Sequence, residues 1–399
     1  MTYKTPGANP IDKTSVYIAA GLVSAGGALI LNVLPVLFGS LAEEFGLGEA
    51  QLGNLAFSIN IGFAILGFVS LAWVRKVNWR VISFVATALV TLAILYMWTK
   101  PSYGGLVVAM TLAGAGTGAL YALAMVIFGD SARPERAYGF KLGMETLPGV
   151  VLLMLLPVVV APAWGFTGVV TVLALSAIAM GILSLPWVPA RGVDAGAADS
   201  SVLGDAPKGR AAAMVWLSLL SSLIFLTGIM AIWAFLELIG KEKGISPDTT
   251  GMILSAGFLI NAVGGFLAAG LGLRVGRVKP VAVVIGAEIL GLVLIGQSDS
   301  VTAFTIGTML FLFSINFVLA YTFGLMAEFD LAGKLVALGS VCLSLAAAIG
   351  PLVSGYLIEA SGYLPALIFS GACSLVALGI YATLSMRARE NQLISQPAR

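Results

Sequence analysis

Three ionisable side chains stand where charge is expensive to keep. Glu145 heads a run that continues uncharged from Thr146 to Ala190, and Lys141 precedes it by four residues. On a helix that spacing puts both groups on one face. Glu288 interrupts the otherwise uncharged stretch from Pro280 to Ser298. Charged groups inside long apolar segments usually mark proton relays, substrate contacts or mutual pairs. Glu145 is therefore open to two readings: a desolvated carboxyl that takes up and releases a proton, or a structural partner of Lys141. Glu288 is either a second proton-coupling group or a carboxyl turned inward against a neighbouring helix. The chain has no histidine, which excludes a His-dependent triad, a His-ligated metal and an imidazole relay. Its two cysteines, Cys342 and Cys373, sit apart in apolar runs, and that spacing offers neither a metal site nor a disulfide framework. No Gly-x4-Gly-Lys-Ser/Thr loop occurs, so ATP-driven work is not expected. No enzyme, metal or cofactor is expected, and no nucleic acid partner.

The rest of the chain explains why so little charge is present. Of 399 residues, 59% are hydrophobic and 10% charged. Soluble domains carry about 45–50% apolar and about 25% charged residues, and soluble cores stop growing beyond roughly 250–300 residues. The excess must be solvated by lipid. Glycine, at 48 residues, is also abundant, as suits helices whose backbones approach closely in a membrane.

A membrane helix takes about 20 mostly apolar residues. Uncharged runs of that length or more begin at Thr14, Ala50, Val81 and Pro101 in the first part of the chain, and at Ala211, Thr249, Ser300, Leu335 and Ser361 in the second. The Glu288 stretch adds one. The run from Thr146 to Ala190 is too long for one helix and is broken at Ala161-Pro162-Ala163-Trp164-Gly165, so it is read as two. The total is twelve transmembrane helices, in an all-α integral membrane protein. The polar leader before Thr14 lacks a cleavage pattern, and the first helix is expected to stay as an anchor. Residues 188–210, rich in Gly, Ala, Ser and Asp, read as a flexible linker between six-helix bundles at 1–187 and 211–399. With both termini cytoplasmic, every one of the 21 Lys and Arg residues except Lys100, Lys241 and Lys243 falls on or near the inner side. That bias is the positive-inside pattern, and it predicts a multi-pass protein of the bacterial inner membrane.

The halves repeat with an offset of about 199 residues: Arg75, just past the second span, falls on Arg274, just past the eighth. Parallel six-helix repeats of this kind place a substrate site near the bilayer midplane. Short motifs then carry a specific resemblance. Leu273-Arg274-Val275-Gly276-Arg277-Val278-Lys279 and Val74-Arg75-Lys76-Val77-Asn78-Trp79-Arg80 occupy the turns after spans eight and two. Pro134-Glu135-Arg136-Ala137-Tyr138-Gly139 precedes span five, and Ile349-Gly350-Pro351-Leu352-Val353-Ser354-Gly355 lies in span eleven. Together these resemble the turn and helix motifs of the major facilitator superfamily (MFS), over essentially the whole chain. The first turn of that family carries an Asp that pairs with Arg at the inner gate; Val74 and Leu273 stand in its place. Span four lacks the arginine, and span five the Gly-Pro-x-x-Gly-Gly stretch, of many proton-coupled drug exporters.

The resemblance implies a central cavity walled by spans one, four, seven and ten and flanked by two, five, eight and eleven. The polar and aromatic candidates on those spans are Asn32, Asn60, Tyr121, Trp233, Asn261, Asn316 and Tyr321. Each amide is equally open to an interhelical hydrogen bond, and Trp233 and Glu237 to an interfacial anchor or an outer contact. The inner gate would draw on Arg75, Arg80, Asp130, Glu135, Arg136, Arg274, Arg277 and Asp330. No Arg lies mid-span on a cavity helix, so a polyanion would lack its clamp. The expected function is a monomeric, proton-coupled secondary transporter for a small organic solute, amphipathic or aromatic, working by alternating access. Its alternatives are an efflux pump exchanging protons for amphipathic compounds and a non-transporting sensor on the same scaffold.

Overall fold

The computed structural model describes residues 9–131, 134–191, 210–297, 299–329 and 339–395. Within them the chain is helical. Apolar segments in lipid have no water to satisfy their peptide groups, so each must close its own hydrogen bonds as a helix. In the first half these are α1 (Thr14–Asn32), α2 (Leu34–Phe45), α3 (Glu49–Trp73), α4 (Trp79–Tyr96), α5 (Tyr103–Gly129), α6 (Pro134–Leu155) and α7 (Ala161–Ser184). In the second they are α8 (Arg210–Trp233), α9 (Leu236–Glu242), α10 (Pro247–Leu271), α11 (Val278–Gln297), α12 (Val301–Phe329), α13 (Gly339–Ser361) and α14 (Tyr363–Ser395).

Eleven stretches among the described residues are long and apolar enough to cross a membrane, and one of them, Phe140–Ser184, has 45 residues. At 1.5 Å per residue it would be about 68 Å long, twice a bilayer core of about 30 Å. The chain reverses within it at Gly165, whose φ of 59° and ψ of −154° leave the helical region. Only glycine adopts that conformation without strain. The stretch is thus two crossings, which brings the described residues to the expected twelve. Two interruptions do not follow from the sequence reading. The first span divides at Val33 (φ −112°), because Pro35 has no N–H and its ring collides with the carbonyl four residues back. Span seven stops three residues past the matching position, at Phe235 (φ −107°), without a proline. The short α9 that follows lies beyond the membrane-crossing stretch Ala212–Trp233. Between α6 and α7, residues Leu156–Val160 widen into a π-helical turn around Pro157.

By contacts the chain forms two compact units, residues 1–40 with 58–198, and 41–57 with 199–399. In the first unit α1 packs on α5, α6 and α7, while α4 packs on α5 and α7. In the second, α8 packs on α12, α13 and α14, while α11 packs on α12 and α14. These are the same pairings displaced by one half, so the repeat seen in the sequence is a repeat of packing. Close approach depends on small residues, though not always on the same partner. In the first unit Gly114 of α5 meets the backbone of Ile59 in α3; in the second, Gly264 of α10 meets the backbone of Phe313 in α12. With the repeat offset Gly114 corresponds to Phe313 and Gly264 to Ile65, so the two units reach close approach through different glycines.

The second unit also holds residues 41–57, the end of α2 and the start of α3. Glu359 accepts from the Ala50 N–H at 3.1 Å, the Tyr363 hydroxyl donates to Glu49 at 3.3 Å, and Asn54 donates to the Tyr356 hydroxyl at 3.2 Å.

Candidate functional site: a buried ion pair in the first unit

Lys141 and Glu145 lie one turn apart on α6, and their side chains form an ion pair. Ser24 of α1 donates its hydroxyl to the same carboxylate oxygen. Above the ammonium sits the ring of Tyr121, with Nζ 3.9 Å from the ring centroid. Phe63 of α3 backs that ring at a centroid distance of 5.4 Å. The Asn32 amide donates to the Glu145 main-chain oxygen at 3.0 Å and so ties the end of α1 to α6. Three helices therefore meet at one pair of charges, and a fourth backs the aromatic ring.

Local sequence makes the convergence possible. Gly27 faces α5 so closely that a Cβ there would lie 2.8 Å from the Tyr121 amide nitrogen. Without a side chain at 27, α1 reaches the α5 backbone and brings Ser24 and Asn32 alongside α6. The geometry is also uneven. The Lys141 side chain is 2% exposed and that of Glu145 11%. A cation sealed this deeply needs a full set of partners, and it has a carboxylate and a π face. Glu145 is the more exposed of the two, and Asn32 and Tyr121, which contact the pair, are half-buried. In chemical terms the cluster is an ammonium cage already holding an ammonium.

The other candidates are distributed differently. Asn60 is buried in α3. In the second unit the Asn261 carboxamide oxygen accepts from the Asn316 N–H at 3.1 Å, and the Tyr321 hydroxyl donates to the Gly272 carbonyl at 2.6 Å, capping the end of α10. Tyr321 also ends a stack with Phe317 and Phe313. Trp233 is buried and stacks on Phe258 at 5.6 Å. Those contacts hold helices together. Glu288 is fully buried on α11; Ser374 of α14 donates to one of its oxygens at 2.6 Å, and the other oxygen has no hydrogen-bond partner.

At the basic end of the first unit, Arg75 grips Asp130 through both guanidinium nitrogens, at 2.7 and 3.3 Å. Asn9 donates to the Asp130 main-chain oxygen at 2.8 Å. Arg80 donates instead to the Val188 carbonyl at 2.7 Å. Arg274 is exposed and Arg277 half-buried. The side chains of Glu135 and Arg136, and Asp330 altogether, lie outside the described residues. Ser24 and Ser374 have no distinguishing signal in sequence; each is one serine among many, and only the fold brings it to a carboxylate. A cavity of about 10 Å³ between α1, α4, α5 and α7, lined by Leu22, Gly26, Thr87 and Met180 among others, has room for a water and not for an organic solute.

Comparison with known proteins agrees with this architecture. The family model of the Major Facilitator Superfamily matches residues 16–325 and 217–398. Among solved structures, a bacterial homolog of the human lysosomal transporter Spinster, in an inward-facing and unoccupied conformation, superimposes with a TM-score of 0.72 at 13% identity, covering 93% of this chain and 96% of that one. The nucleoside transporter NupG superimposes with a TM-score of 0.71 at 13% identity, covering 92% and 98%. At such identities the likeness is one of fold. A search of curated proteins found no match. Twelve crossings, a repeated packing pattern and a family match across both halves lead to one conclusion: this chain belongs to the Major Facilitator Superfamily of membrane transporters.

Proposed function

We propose that the protein is a secondary active transporter that moves a small organic solute, amphipathic or aromatic, across the bacterial inner membrane, with both termini cytoplasmic. The six-helix halves at 1–187 and 211–399, joined by the linker 188–210, rock in alternating access, and the proton gradient drives the cycle through the Lys141–Glu145 pair. The observation that carries this reading is the pair itself: a lysine and a glutamate buried within a membrane-crossing stretch and served by two other helices. A purely structural bundle has no need of it, since replacing a buried ion pair by well-packed apolar groups is often neutral or stabilising. Arg75 and Asp130 act as a latch at the basic end. The test is solute flux in proteoliposomes under an imposed pH gradient. Uphill accumulation should be lost in Glu145→Gln; unchanged uphill accumulation in that variant contradicts the role given to the pair.

A further inference from the structure

We infer that the substrate is a monovalent organic cation that takes the place of the Lys141 ammonium, and that Lys141 itself gives up the proton for which the cation is exchanged. The inference rests on the transporter reading above and adds the charge class of the substrate and the identity of the proton-carrying atom.

The site is poorly solvated, so the charges in it must balance. The cage contains one negative group, Glu145, and one positive group, Lys141. A site of low dielectric holds a neutral set of charges far more readily than an unbalanced one. Among the described residues, the titratable or charged groups that interact with Lys141 are Glu145 on its own helix and Tyr121 on α5, while α1 contributes only the Ser24 hydroxyl. Nothing else there can absorb an added charge. A cation entering must therefore displace one, and an anion entering must be met by protonation of Glu145.

Two features favour the cation. The Tyr121 ring presents its face, which attracts positive and repels negative charge. Of the pair, the glutamate side chain is the more exposed, 11% against 2% for the lysine, so an incoming cation meets its counter-ion before an incoming anion would meet the ammonium. Lys141 is in effect a tethered competitor for its own cage. When the organic cation pairs with Glu145, one N–H bond of the Lys141 ammonium breaks, its electron pair stays on Nζ, and the proton passes to water. The cage starts neutral and ends neutral, with one proton out for one cation in.

The purified full-length protein can be tested with tetraphenylphosphonium, which carries a fixed positive charge and no proton, and with tetraphenylborate, which has the same shape and the opposite charge. Proton release in weakly buffered detergent solution should be about one per phosphonium bound, and phosphonium affinity should rise about tenfold per pH unit where Lys141 exchanges its proton. Lys141→Arg, which keeps the ion pair but cannot give up its proton, should lose phosphonium binding and proton release together. Tyr121→Leu, which keeps both charges, should weaken binding and retain the slope, and it guards against a misfolded lysine variant. Tighter binding of the borate, phosphonium binding without proton release, or binding of neither ion would overturn the inference. Gradient-driven flux of a neutral or anionic solute, unaffected by phosphonium, would overturn it while leaving the transporter reading intact; absence of any gradient-driven flux would remove that reading instead.

Discussion

The two buried carboxylates occupy halves with the same packing plan and have opposite surroundings. Glu145 in the first unit has a lysine, a serine hydroxyl and a side chain that is 11% exposed. Glu288 in the second is fully buried, has the hydroxyls of Ser374 and Ser314 beside it but no cation, and leaves an oxygen unpartnered. Neither is repeated: at an offset of 199, Glu145 falls on Ser344 and Glu288 on Leu89, while Tyr121 falls on Ala320. The scaffold is duplicated and the chemistry is not. An isolated buried carboxyl without a counter-ion is held most cheaply in neutral form, which suits a fixed structural hydrogen bond. A carboxylate facing a sealed ammonium is a poised electrostatic device.

The contrast can be broken most forcefully at the pair. Glu145→Ala leaves Lys141 as a buried cation without its counter-charge, and should cost about 3–5 kcal/mol of stability, read as a large fall in thermal midpoint in detergent. Glu288→Gln preserves the size of the side chain and an acceptor for Ser374, and should fall within about 1 kcal/mol of the parent. Equal losses in the two variants would erase the distinction between the sites.

A third carboxyl sharpens the comparison through pH. Glu237, in the short helix α9, is buried with one oxygen unpartnered. Burial pushes it up from 4.5 to about 8, with Lys241 opposing and Glu43 adding to the rise. The folded protein thus holds a proton there more firmly than the unfolded chain. The stability tied to that proton is complete below about pH 4.5 and drains away as the pH climbs to about 8. Thermal melts across that window should show the decline, and Glu237→Gln should flatten it. A decline that survives the substitution would point to another group.

Smaller effects are expected where hydrogen bonds only join helices. Tyr321→Phe removes the bond to the Gly272 carbonyl and should cost about 1 kcal/mol, seen in the melt and not in transport. Arg75→Ala breaks a pair whose arginine is 58% exposed; an exposed pair contributes about 1 kcal/mol or less. Its main effect should be on transport rate, with the melt scarcely moved.

Much of this architecture is legible in the sequence, for identifiable reasons. The Lys141–Glu145 pairing follows from four-residue spacing on a helix, and the reversal at Gly165 from a Pro-Gly break in an overlong run. The bend at Val33 is harder to see because an apolar run shows its length more plainly than its kinks, although Pro35 carries the signal. Ser24 is 121 residues from Glu145, and no local pattern reports such a contact. Tyr121 is readable as an aromatic on a cavity-facing span, but its place over Lys141 depends on Gly27 bringing α1 against α5. Trp233 has two open readings in the sequence, and its burial against Phe258 reflects tertiary packing that an apolar helix on its own cannot specify.

The most direct measurement is proton movement driven by a cation gradient. Proteoliposomes with a trapped pH indicator, given an inward gradient of tetraphenylphosphonium, should report proton efflux for the parent protein and for Glu288→Gln, and none for Glu145→Gln. Proton efflux that survives Glu145→Gln and vanishes in Glu288→Gln would place the working carboxylate in the other half and contradict the account.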